Sequence, residues 1–340
     1  MRNTILIILC SLAIIGCYKD PNITGQYSDE YYVRHKGVDM PVWVRGKIDS
    51  EAFIIFIHGG PKLTGIREAV SNQFTRLEEK YAMVYYDQRS GGFTHGSRTE
   101  NLSEEQLVED LDVVIEFIKQ EYPNAKSIFL MGHSWGGYLG TSYLTDPIRA
   151  AKINGWISLA GNHNLPFAWL AERDFIIKYA NEQINADAAD KDFWQEAIEK
   201  LTPLTEIKSF DDIIQLNFYA QAIDRTINKD AIIPYPNLVE IWSSPVGIDI
   251  EQRRIAVLDD LQVVGNKNPQ MGAITLPVLL IYGRLDAIVP VAVGQNGYDF
   301  LGTPAADKKL VILEKSGHDI WRIEVDRFVQ EITEFVEQYQ

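Results

Sequence analysis

Ser134, Asp286 and His318 are the residues of this chain whose types and settings suit covalent chemistry. Ser134 lies in Gly132-His133-Ser134-Trp135-Gly136, after the apolar run Ser127 to Met131 and before Gly137 to Leu144. Asp286 ends Tyr282-Gly283-Arg284-Leu285-Asp286, and His318 stands in Lys315-Ser316-Gly317-His318-Asp319. A serine hydroxyl is a weak nucleophile near neutral pH. It needs a base, usually histidine, which a carboxylate orients and stabilises. Such a set would attack an acyl carbon and form an acyl-enzyme. Singly, each residue has a plainer reading: Ser134 as a helix cap, Asp286 as a turn carboxylate, His318 as a loop histidine. Their order and their common place at strand ends argue for one constellation.

The elements that must position them are legible. A short buried strand runs into a helix with Ser134 at the corner, and glycines flank it where a side chain would collide with neighbouring backbone. The corner lifts the hydroxyl clear of the sheet, towards backbone N–H groups that can meet an oxyanion. Hairpin strands are expected at Tyr31 to Arg34 and Pro41 to Val44, around Lys36-Gly37-Val38-Asp39. Ala52 to Ile57 is a continuous apolar run, as in a strand of a parallel sheet buried on both faces. A helix is predicted around Val70 to Tyr81, then a strand at Ala82 to Tyr86. Ser103 with Gln106 forms a capping-box pattern, with Leu102 and Leu107 as a hydrophobic staple, before a helix carrying Leu111, Val114, Ile115 and Ile118. Gly155 to Ala160, Leu276 to Tyr282 and Leu310 to Leu313 read as further strands, and an amphipathic helix follows Ile320.

Between about Asn162 and Ala273 the alternation stops, and the chain turns helical and aromatic, with Phe167, Trp169, Phe175, Tyr179, Trp194, Phe218, Tyr219 and Trp242. This predicts an α/β fold: a mostly parallel, doubly wound sheet interrupted by a helical cap. The expected boundaries are 30–161 and 274–340 for the core and 162–273 for the cap.

Two loops add to the site. His58-Gly59-Gly60-Pro61 follows the third strand, and the Gly60 and Trp135 N–H groups are expected to form the oxyanion hole. His58 is read as bracing that loop. Asp87-Gln88-Arg89-Ser90-Gly91-Gly92 follows the fourth strand, where Asp87 and Arg89 are expected to form a bidentate supporting network.

His-Gly-Gly-Pro, Asp-Gln-Arg with following glycines, and Gly-x-Ser-Trp-Gly together resemble the proline iminopeptidase branch of the α/β-hydrolase superfamily, whose triad order is also Ser, Asp, His. The resemblance covers about Tyr31 to Gly161 and Leu276 to the C-terminus. It implies a serine hydrolase with no metal or organic cofactor, acting on a short-peptide or other small-molecule substrate. It also implies cap carboxylates that hold a free amino group, for which Glu172 and Glu240 are candidates beside Trp169 and Trp242. Lys62 stands where the family has a further glycine, and His133 is of a type common in esterases and acyl hydrolases. A carboxylesterase or amidase, or a non-catalytic binding lipoprotein, are the alternatives. Dehalogenase and epoxide-hydrolase chemistry is disfavoured because those branches place aspartate where Ser134 stands.

The net charge of −15 excludes the basic surface that nucleic acid requires. Arg2, the apolar stretch Ile5 to Ile15 and Gly16-Cys17 resemble a bacterial lipoprotein leader, with residues 1–16 removed, Cys17 lipidated and 17–29 a linker. Cys10, the only other cysteine, lies inside the leader, so cleavage leaves no free thiol. The expected address is the bacterial cell envelope, with membrane contact through the lipid on Cys17.

Overall fold

The computed structural model describes residues 27–60, 63–69, 71–89, 91–96, 103–207, 209–227 and 265–340. Among the described residues, nine strands form one sheet: β1 (Tyr27–His35), β2 (Val38–Gly46), β3 (Ala52–Ile57), β4 (Ala82–Tyr86), β5 (His95–Gly96), β6 (Ser127–His133), β7 (Gly155–Leu159), β8 (Val278–Gly283) and β9 (Lys308–Leu313). Their order is β1-β2-β4-β3-β6-β7-β8-β9, with β5 paired to β2. Pairs among β1, β2, β4 and β5 are antiparallel, and those from β4 through β3 to β9 are parallel. Every residue of β3 and β6 is buried, which explains their unbroken apolar runs. Burial of Phe53 or Ile55 alone contributes about 1.5–3 kcal/mol.

Register places the chemistry. Ile57 lies opposite Gly132, His133 opposite Leu159, Leu159 opposite Ile281, and Gly283 opposite Leu313. The C-terminal ends of β3, β6, β7, β8 and β9 are therefore level, and the loops after them converge on one edge.

Helices α1 (Asn72–Glu78), α2 (Glu104–Glu121), α3 (Trp135–Leu144), α7 (Val291–Phe300) and α8 (Val325–Tyr339) flank the sheet. Phe74 of α1 packs edge-on against Trp321, with centroids 5.3 Å apart, and meets Phe328 of α8 at 6.1 Å. Three helices, α4 (Leu165–Asn185), α5 (Lys191–Leu201) and α6 (Phe210–Ile227), form a separate layer. Trp194 and Tyr219 are buried within it, and Phe193 meets Tyr219 at 5.2 Å. The Leu165 N–H donates to the Gly265 carbonyl at 2.8 Å, and Asn164 pairs with Asn266. The chain thus leaves and rejoins the sheet at neighbouring points.

Three local expectations change. β1 begins at Tyr27, inside the expected linker, because Tyr27 pairs with Gly46 at the far end of β2. The helix expected over Val70 to Tyr81 is present but shorter, as α1, and a separate four-residue helix, Ile66–Ala69, precedes it. At α2 the Ser103 Oγ does accept from the Gln106 N–H, but the Gln106 side-chain oxygen, which a capping box turns to the Ser103 N–H, accepts from Lys36 Nζ at 3.2 Å while its amide nitrogen donates to Asp110 at 3.2 Å.

Candidate active site

Ser134 has φ 54° and ψ −116°, a conformation that L-residues rarely adopt. The corner is held through its backbone. The Ser134 N–H donates to the Leu159 carbonyl at 3.1 Å, and its carbonyl accepts from Gly137 at 2.9 Å and Asn162 at 3.0 Å. Glycine is required beside it. A Cβ on Gly136 would lie 1.9 Å from the Ile57 carbonyl oxygen, and one on Gly132 2.3 Å from the Gly136 oxygen. The β3 loop packs against the same corner, since a Cβ on Gly59 would meet His133 Nδ1 at 3.2 Å and the Ser134 Cβ at 3.4 Å.

His318 is tied down from several sides. Its Nδ1 donates to Asp286 Oδ2 at 2.9 Å, which leaves the lone pair on Nε2. Asp286 is fully buried, and its other oxygen accepts from the Ile288 and Val289 N–H groups at 2.8 and 2.9 Å. The His318 carbonyl accepts from His133 Nε2 at 3.1 Å, and the two rings lie 4.7 Å apart. The base candidate is thus anchored to the residue that precedes Ser134. Burial alone would lower the His318 pKa, but Asp286 first, then Asp319 and Asp224, lift it above the ordinary value. Burial and the neighbouring His318 push His133 down to about 3, so His133 stays neutral through the working range.

The first-turn position of Trp135 leaves its N–H without an intrahelical acceptor, as at any helix start. Gly60 adopts φ 131°, which a side chain would resist. These two backbone groups are the expected oxyanion donors. Around them, His58 braces its loop, with Nδ1 donating to the Gly59 carbonyl at 2.7 Å and Nε2 accepting from the Gln88 N–H at 3.1 Å. Gln88 does more than the sequence suggested. Its amide nitrogen donates to the His58 carbonyl at 2.9 Å, and its oxygen accepts from Trp135 Nε1 at 2.9 Å. It bridges the two loops that carry the donors.

Asp87 and Arg89 support the same region, but not as a pair. Asp87 accepts from the Gly65 and Phe93 N–H groups, each at 2.7 Å. Arg89 makes a bidentate pair with Asp110 of α2, at 2.7 and 2.8 Å. Backbone amides already occupy both Asp87 oxygens, so the guanidinium turns to the nearest buried carboxylate. The guanidinium is fully buried there.

Of the cap candidates, Glu172 is only 2% exposed on α4, and its Oε1 has no hydrogen-bond partner among the described residues. Burial first, and Asp286 second, hold its pKa well above the ordinary carboxyl value. Trp169 is buried one turn earlier in the core cluster. Asp224 of α6, which no motif marked, accepts from the His318 N–H at 3.1 Å. Glu240, Trp242, Lys62 and Cys17 lie outside the described residues.

Residues 48–326 match the family model described as serine aminopeptidase, S33. The chain belongs to that family. As an S33 member it is an α/β-hydrolase enzyme. Proline iminopeptidase of Saccharolobus solfataricus is 23% identical over 321 residues, 91% of this chain and 93% of that protein. A match to protein phosphatase methylesterase 1 of Debaryomyces hansenii, 26% identical, spans only 138 residues, or 39% of this chain and 35% of the other. The crystal structure of proline iminopeptidase from Mycobacterium smegmatis superposes with a TM-score of 0.59 at 16% identity, covering 92% of this chain and 98% of that one.

In this S33 chain one faint sequence signal points to the two inward carboxylates, although only Glu172 is among the expected site residues. Glu172 shares a stripe with Leu165, Ala168, Trp169 and Ile176, and Asp224 falls at helical spacing from Leu216 and Ala220 and beside Ile223. An acidic residue on the buried stripe of an amphipathic helix is costly unless it has work to do.

Proposed function

We propose that this protein is a lipid-anchored serine aminopeptidase working through Ser134, His318 and Asp286. Ser134 Oγ attacks the acyl carbon and gives its proton to His318 Nε2. The Gly60 and Trp135 N–H groups receive the oxyanion. The leaving amine takes the proton from His318 as the carbon–nitrogen bond breaks, and water then hydrolyses the acyl-enzyme by the same proton path.

The observation that carries the aminopeptidase reading is Glu172, a buried carboxyl close enough to Asp286 to feel its charge, with an oxygen left unbonded among the described residues. The ammonium of a free N-terminus supplies the missing donor, and its charge draws the carboxyl back to its anion. The two proline iminopeptidases among the relatives support this reading. The esterase alternative rests on the partial likeness to a methylesterase and on the apolar wall that Trp169 gives α4.

A panel of chromogenic prolyl, alanyl and leucyl amides, each with free and blocked amine, and short acyl esters separates the two. Free-amine substrates should dominate. Hydrogen bonds to charged groups are worth roughly 1.5–3 kcal/mol, so Glu172→Gln should cost the free amine roughly 10- to 150-fold in kcat/KM and leave a neutral ester nearly untouched. Equal turnover of blocked and free substrates would replace the peptidase by an esterase or amidase.

The anchor on Cys17, and with it the cell-envelope address, is read from the lipoprotein-like leader. Cys17→Ser should move the protein from the membrane to the soluble fraction with its kcat/KM unchanged. A variant that stayed in the membrane would remove the anchor from this account.

A further inference from the structure

Among the described residues, three ties from outside its own loop fix the position of His318, and they come from three different parts of the fold. Asp286, after β8, holds the ring, and His133, at the end of β6, holds the carbonyl. Both are carried by the sheet and the loops at its edge. The third tie comes from above it. The His318 N–H donates to Asp224 Oδ1 at 3.1 Å, across 94 residues, from helix α6 of the helical layer. Helix α6 is itself firmly seated, because Leu216, Tyr219, Ala220 and Ile223 are buried around Asp224.

We propose that Asp224 is a positioning residue through which helix α6 sets the placement and basicity of His318. This rests on the reading of His318 as the general base. Through the N–H it fixes the backbone from which the imidazole projects, and a shift of about 1 Å at a reacting group can cost roughly 10²-fold in rate. Its charge acts as well. Asp224 is among the carboxylates that favour the imidazolium, although burial raises its own pKa.

The other groups facing His318 divide by element. Asp286 stands on the β8 loop and His133 on the elbow. Asp319, on the same loop as His318, is bound by Arg67 at 3.1 Å and by Arg322 at 2.7 Å. Glu68, whose pKa burial pushes up to about 7, stands behind Arg67. Among the described residues, Asp224 is the helical layer's direct hydrogen-bonding contact with His318. A movement of α6 would therefore be felt at the base.

The test compares Asp224→Asn with Asp224→Ala on a substrate that the wild type turns over. Asparagine keeps an oxygen for the His318 N–H and loses only the charge. Its plateau kcat should stay within about threefold of the wild type, while the acid limb of kcat/KM moves to lower pH by roughly half a unit or more. Alanine loses both, so kcat should fall roughly 10- to 100-fold with KM little changed. A merely structural role would lower neither kcat selectively nor the apparent pKa. Wild-type kcat and an unmoved pH profile in both folded variants would overturn the proposal. Equal loss in both, with the acid limb in place, would overturn it too. If alanine does not fold, the asparagine profile alone decides. Covalent labelling of wild-type Ser134 by a fluorophosphonate, run in parallel, reports on the triad itself. With labelling intact, failure of the Asp224 variants counts against the positioning role alone.

Discussion

Ser134→Ala is expected to lower kcat by about 10⁶-fold, roughly 8 kcal/mol of barrier, while the protein stays folded. The separation follows from the geometry of the corner. Everything Ser134 does for the fold runs through its backbone, by the N–H to Leu159 and the carbonyl to Gly137 and Asn162. The side chain is left for chemistry. A companion variant sharpens the contrast. Ser134→Gly should be equally inactive but more stable than the wild type by roughly 1 kcal/mol, because glycine relieves the positive φ at a partial cost in unfolded-state entropy. Urea unfolding alongside turnover checks both halves. A Ser134→Ala enzyme with even a hundredth of the wild-type rate would require a different nucleophile.

Asp286→Asn is expected to lower kcat by about 10⁴-fold. Two backbone N–H groups, from Ile288 and Val289, converge on Asp286 Oδ1. In the amide they will claim the single oxygen, which turns the NH2 towards His318 Nδ1. That nitrogen must then accept, the proton moves to Nε2, and the ring can no longer take the serine proton. The imidazolium also loses its first-ranked charge partner, so what activity remains should have its acid limb at lower pH. A rate within tenfold of the wild type would mean that another carboxylate, Asp319 or Asp224, orients the ring.

Why some of this was legible in the sequence and some was not has a physical basis. β3 and β6 announce themselves because strands covered on both faces are built mostly of apolar residues, here Ala52 to Ile57 and Ile128 to Met131. The corner announces itself because no side chain fits at Gly132 or Gly136. Asp286 and His318 stand at the strand ends where their spacing placed them, and register does the rest. The partner of Arg89 was read as Asp87 because sequence reasoning favours neighbours. The pair formed with Asp110 depends on how α2 lies against the β4 loop. Gln88 carried no signal of charge or pattern, yet it joins the His58 loop to Trp135. Asp224 reaches His318 only after the helical layer has folded over the sheet edge. Short-range constraints leave marks in sequence; contacts made by docking one layer on another leave few.

The central claim is that Ser134 is a nucleophile activated by His318 and Asp286. Its most direct measurement is peptide mass mapping after exposure of the full-length protein to a fluorophosphonate. One phosphonyl adduct per chain is predicted, on the peptide bearing Ser134, absent from Ser134→Ala and formed far more slowly in Asp286→Asn. No adduct on the wild-type chain, or an adduct on any other residue that persists in Ser134→Ala, would contradict the account.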